Sequence, residues 1–211
     1  MGKDIFVFGD SIAAGFYDTE TGGWVSMLFS YLNTRSTDPN LDEFYNVFNM
    51  SISGDGVSGT LKRLESEILP RQHERETVII LDVGGNDAVR NLQTNEMICP
   101  LDAFSETYRA LITEAKKFGS VICLGFLDSD ERKLNPIPWQ EGHAALDEDA
   151  DVYCAKIEEL AAENEVLFFD LSGLFKEDLD RYLEDGDHPN VEGHRRIFEK
   201  VKRELEKAGI F

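Results

Sequence analysis

Five residues spread over most of the chain have the types that acyl transfer requires: Ser11, Gly54, Asn86, Asp185 and His188. A serine hydroxyl is a weak nucleophile until a base takes its proton. His188 can be that base. Asp185 lies across a glycine-bearing turn from it, so it can reach one ring nitrogen while the other faces the hydroxyl. Asp187 competes for the same orienting role. A tetrahedral intermediate also needs hydrogen-bond donors for its oxyanion. Gly54 offers an uncrowded backbone N–H, Asn86 a side-chain amide, and Ser11 its own N–H.

These groups serve one reaction only if the fold brings them together. Residues 5–8 (IFVF) have the length and the aromatic and β-branched content of a buried strand. Gly9-Asp10 breaks that run and delivers Ser11 at the strand's carboxyl end, where open α/β sheets bind ligands. Residues 44–50 read as a second strand, followed by a polar loop that carries Gly54. Residues 77–83 (TVIILDV) are near-continuously apolar, as suits a central parallel strand covered on both faces. Gly84-Gly-Asn86-Asp87 ends it. Further strands are expected at 121–126 and 166–169, and helices near 24–34, 57–69, 101–117, 144–164 and 191–207, with a short helix within 171–182. Strands alternating with helices predict a single α/β domain over 1–211. The expected architecture is three-layer α/β/α and flavodoxin-like, with about five parallel strands in order 2-1-3-4-5. All strand ends that carry candidate residues then share one edge.

The same residues resemble a known family. Gly9-Asp10-Ser11, Asn49-Met-Ser-Ile-Ser-Gly54, Gly84-Gly-Asn86-Asp87 and Asp185-Gly-Asp-His188-Pro are similar, in order, to the four sequence blocks of the SGNH hydrolases, also called the GDSL esterase/lipase family. The second block is closest to the lysophospholipase/thioesterase branch, and Ile12 stands where the motif's leucine is usual. The resemblance implies a serine esterase acting on carboxylic esters or thioesters, without a cofactor or metal. It also implies Ser11 as nucleophile, His188 as base, Asp185 as its partner, and Ser11, Gly54 and Asn86 as oxyanion donors.

Bulk properties narrow the partners. The net charge of −20, from 21 basic and 41 acidic residues, repels phosphate backbones and anionic lipid, so nucleic acid is an unsuitable ligand. No apolar run approaches the roughly 20 residues of a membrane span, and residues 1–4 do not read as a leader, so a small acyl ester in the cytoplasm is the expectation. The three cysteines show no metal-ligand spacing, and Cys123 reads as a core residue. Loops 88–100 and 128–142 are long enough to shape an acyl pocket, with Met97, Ile137 and Trp139 as its apolar candidates. If Trp139 walls the acyl site, Trp139→Ala should change the preferred chain length on C2 to C12 nitrophenyl esters. Asp10 and Asp87 are expected to brace their turns, and Asp82 to be a buried, satisfied carboxylate. His73 and His194 are expected at the surface, and His143 as a weaker candidate for substrate contact. Two rival readings remain open at this level. A two-metal phosphoesterase would use the carboxylates and imidazole but not Ser11, and would lose activity to a chelator. A non-catalytic flavodoxin-like binding module would turn over no ester.

Overall fold

The computed structural model describes residues 2–211. Five parallel strands form the central sheet: β1 (Gly2–Gly9), β2 (Phe44–Asn49), β3 (Glu76–Asp82), β5 (Ser120–Leu124) and β7 (Leu167–Phe169). The strand order is β2-β1-β3-β5-β7, which is the expected sheet. The interposed β4 (Arg90–Asn91) and β6 (His143–Ala144) were not expected; they pair with each other, antiparallel, and join the two long loops. Residues 143–144 are therefore extended, and the helix expected from 144 starts at Asp147.

The helices are α1 (Ser11–Ala14), α2 (Trp24–Ser36), α3 (Val57–Ile68), α4 (Leu101–Ala115), α5 (Glu131–Leu134), α6 (Asp147–Glu163), α7 (Leu179–Tyr182) and α8 (Val191–Lys207). Side chains alternate across a strand, and here the alternation divides the core in two. Ile5, Val7, Ile80 and Ile122 pack with Trp24 and Leu28 of α2 and with Ile197 and Val201 of α8. Phe6, Phe8, Ile79 and Leu81 point the other way, against Leu64 of α3, Tyr108 of α4 and Ile157 of α6. Three layers result, and every strand of the sheet's centre is sealed on both faces. Cys123 lies wholly inside the second cluster.

Register sets the site. Gly9, the last residue of β1, stands opposite Asp82, the last residue of β3. The loop after β2 is tied to the same point, since the Ile52 N–H donates to the Gly9 carbonyl at 3.1 Å. At the far end of β1 a second carboxylate anchors the sheet. Asp4 is fully buried and accepts from the Asn46 amide at 2.8 Å and the His73 N–H at 2.9 Å. Burial pushes its pKa up, but these hydrogen bonds outweigh it and hold the group below the usual carboxylate range. His73 is at the surface, with its side chain 51% exposed.

Candidate active site

The turn that presents Ser11 is tight. A Cβ on Gly9 would stand 2.5 Å from the Ala13 Cβ and 2.9 Å from the Asp82 carbonyl oxygen, so a side chain there is excluded. Asp10 caps α1, its Oδ1 accepting from the Ile12 N–H at 3.0 Å. Ser11 is the first residue of that helix, so its N–H has no intrahelical acceptor and points outward.

His188 reaches the site from the other end of the chain. The Ser11 Oγ lies 2.8 Å from the His188 Nε2. The His188 Nδ1 lies 2.8 Å from the Asp185 Oδ2. The other oxygen of Asp185 accepts from the backbone N–H groups of Asp187 at 3.0 Å and His188 at 2.9 Å. One carboxylate therefore builds the turn with one oxygen and holds the imidazole with the other. Burial would raise the Asp185 pKa, but the two backbone donors and the His188 ring prevail and keep it below the usual range. Asp187 lies on the other side of the ring, its Oδ2 3.8 Å from Nε2, and has no access to Nδ1. A hydroxyl, an imidazole and a carboxylate thus stand in line, an arrangement that can carry out general-base chemistry.

Asn86 lines the same cavity as Ser11, and Gly54 lies in the loop between β2 and α3. Gly54 has φ 78°, a left-handed conformation, and a Cβ there would meet nothing within 4 Å. Backbone conformation rather than space selects glycine here. Among the described residues, no acceptor engages the Gly54 N–H. Asn86 sits in the 3-10 turn Gly85–Asp87 that follows β3. Its amide nitrogen donates to the Asp10 Oδ2 and to the Asp55 carbonyl, both at 3.0 Å. Both amide hydrogens are thus engaged, and one of these bonds must be shared or surrendered when a ligand oxygen arrives. Asp87 braces the neighbouring loop by accepting from the Val57 N–H at 2.9 Å.

A cavity of about 110 Å³ opens beside Ser11, with Ile12, Val83, Phe126, Ile137 and Trp139 among its walls. Ile137 is buried with Val89 and Leu134, and its loop is thereby anchored. Trp139 is 52% exposed at the mouth, its ring 5.4 Å from that of His188. Met97 lies elsewhere: it packs against the core cluster around Phe104 and is not among the lining residues. His143 is also outside the lining, its Nδ1 at 2.9 Å from the Glu141 carbonyl oxygen. Among the described residues, no group of three or more His, Cys, Asp or Glu is placed to hold a metal ion, and no helix is long and apolar enough to cross a membrane.

Comparison with known proteins bears on the same segment. The model of the GDSL-like lipase/acylhydrolase family matches residues 7–196. The chain belongs to that family. Esterase TesA of Pseudomonas aeruginosa is 32% identical over 108 residues, 51% of this chain and 49% of that protein. Thioesterase 1/protease 1/lysophospholipase L1 of Escherichia coli is 27% identical over 112 residues, 53% of this chain and 45% of that protein. These matches span about half the length of each curated relative. The acetylxylan esterase Axe2 of Geobacillus stearothermophilus superposes with a TM-score of 0.70 at 21% identity, covering 96% of this chain and 93% of that one, a likeness of fold.

Within this member of the GDSL-like lipase/acylhydrolase family, one expectation about a polar residue is corrected. His194 is fully buried rather than at the surface. Its Nδ1 accepts from the Trp24 N–H at 3.3 Å and its Nε2 faces the Phe16 carbonyl oxygen at 3.0 Å, which pins the loop after α1 to α8. Asp82 lines the cavity and is partly buried. Burial drives its pKa up to about 7, and the Trp24 indole N–H opposes this only in part. A group whose folded pKa is raised contributes stability below its unfolded pKa, and loses it as pH rises through the folded value. The contribution of Asp82 to the melting temperature should therefore be larger near pH 5 than near pH 8. Asp82→Asn should remove this pH-dependent contribution in calorimetry, and an unchanged pH profile would contradict the assignment. Two further residues escaped the sequence reading. The Phe16 and Tyr17 rings lie 4.9 and 5.8 Å from that of His188.

Proposed function

We propose that the chain is a serine acyl hydrolase that cleaves small carboxylic esters, and thioesters of the same acyl groups, through an acyl-enzyme. The observation that carries this is the relay in which the Ser11 Oγ stands 2.8 Å from the His188 Nε2 and the His188 Nδ1 stands 2.8 Å from the Asp185 carboxylate. Ser11 attacks the carbonyl carbon while His188 takes its proton. The oxyanion is received by the N–H groups of Ser11 and Gly54 and by the Asn86 amide. His188 returns the proton to the departing alcohol or thiol, and a water molecule then repeats the sequence on the acyl-enzyme. The acyl chain occupies the cavity of about 110 Å³, whose size suits short chains. The relatives' names include esterase, thioesterase and lysophospholipase, activities that attack the carbonyl of an ester or thioester.

Mass spectrometry after a fluorophosphonate probe tests the nucleophile and its position together. Label on the peptide containing Ser11, with turnover of nitrophenyl acetate, is the expected result; neither label nor turnover would overturn the proposal. Asn86→Ala should lower kcat by about 10²–10³, the usual cost of one oxyanion donor. Asn86 also ties Asp10 to Asp55, so a melting curve must accompany the kinetics. Normal turnover in this variant would remove Asn86 from the oxyanion site.

A further inference from the structure

His188 is ringed by aromatic side chains that acyl transfer itself does not need. Phe16, Trp139 and Tyr17 place ring centroids 4.9, 5.4 and 5.8 Å from the imidazole. All three remain near half exposed, at 50%, 52% and 42%. The two on the α1–α2 loop are held in place. Tyr17 has φ 64°, a left-handed conformation that a bulky residue rarely adopts. The chain is clamped on both sides of it. The Phe16 carbonyl meets the buried His194, and the Asp18 carboxylate accepts from the N–H groups of Glu20, Thr21 and Gly23.

Asp187 and Trp139 stand where this rim meets the acyl cavity, and no Lys, Arg or His is among the cavity's lining residues. Asp187 has its side chain 40% exposed and an oxygen 3.8 Å from the His188 Nε2. The basic residues near that turn, Arg132 and Lys133, pair with Asp130 and Asp180. The leaving oxygen must sit at Nε2 to receive its proton, so the rest of the leaving group extends past the rings and Asp187. Aromatic faces beside a carboxylate attract a weakly hydrated cation and repel a phosphate.

We propose that Phe16, Tyr17, Trp139 and Asp187 form a leaving-group subsite for an alkylated ammonium ion, so that the favoured substrates are short acyl esters of amino alcohols. The inference rests on the acyl-hydrolase reading above. The Ser11 Oγ–acyl bond forms as the ester C–O bond breaks. The proton taken from Ser11 leaves on the amino alcohol, and water releases the acid. A neutral sugar would also stack on the rings but gains nothing from the Asp187 carboxylate.

The test compares kcat/KM for acetylcholine with that for 3,3-dimethylbutyl acetate, its uncharged isostere, at low and high salt. A sugar acetate and nitrophenyl acetate complete the set. The cationic ester should be favoured by about 10-fold or more at low salt, with a smaller margin at high salt. Tyr17→Ala and Asp187→Asn should each cut that ratio at least about threefold. A ratio of one or below, a ratio that both variants leave intact, or a sugar acetate preferred to both esters would overturn the subsite and leave the esterase standing. No turnover of any ester and no probe label on Ser11 would overturn both.

Discussion

Ser11→Ala should reduce ester turnover by about 10⁴–10⁶ while the protein melts within a degree or two of the parent. The first figure follows from how such groups act: removing the nucleophile alone disables the unit, and binding plus oxyanion donors leave only residual catalysis. The second follows from the local structure. The Ser11 side chain makes its hydrogen bond to His188 and to nothing else. The turn is held instead by the Asp10 carboxylate on the Ile12 N–H and by the excluded Cβ at Gly9. Alanine at the first position of α1 is an unstrained helical residue, and its N–H remains available to an oxyanion. KM on a nitrophenyl ester should move little, and the fluorophosphonate label should vanish. Turnover within tenfold of the parent would mean that hydrolysis proceeds through another group.

Most of this geometry was legible because it sits where periodicity changes. The end of each apolar run named a strand terminus, and parallel strands put those termini on one edge. Ser11, Gly54 and Asn86 are assigned to that edge from the ends of the apolar runs together with the resemblance of the four sequence blocks to the SGNH hydrolases. The rest depended on contacts that no local pattern encodes. β4 and β6 are two residues each, too short for a period, and form only because the two long loops meet. Phe16 and Tyr17 lie in an aperiodic loop, and their place beside His188 is set by the His194 anchor. That anchor had a signal: His194 falls on the same stripe of α8 as Ile197, Val201 and Leu205, all buried. Its polarity argued for the surface, and its partners, a backbone N–H and a carbonyl, argue otherwise. The raised pKa of Asp82 escaped for the converse reason. Its position in the strongest strand implied burial, but only the register of β1 against β3 sets it beside Asp10.

Asp185→Asn offers a sharper probe of the relay than removal of the side chain. Asparagine retains an oxygen where Asp185 accepts from the N–H groups of Asp187 and His188, so the turn before α8 should persist. Its NH₂ group then faces the His188 Nδ1, where the carboxylate oxygen now stands at 2.8 Å. An amide donor there requires Nδ1 to accept, which places the ring proton on Nε2. That nitrogen can no longer take the proton of Ser11, and the charge that steadied the imidazolium is gone. The expected loss in kcat is about 10⁴ at neutral pH, with KM nearly unchanged. The variant should also lose a stability increment. The Asp185 pKa is lowered in the fold, so its contribution is present above the ordinary carboxylate range and fades as pH falls through the folded value. Parent and variant should therefore converge in melting temperature under acid and diverge toward neutrality. Asp185→Ala, by contrast, leaves two partly buried N–H donors unpaired and should cost about 1–3 kcal/mol of stability besides. An Asn variant that keeps turnover within tenfold of the parent would show that the tautomer of His188 is set elsewhere, and Asp187 would become the residue to substitute next.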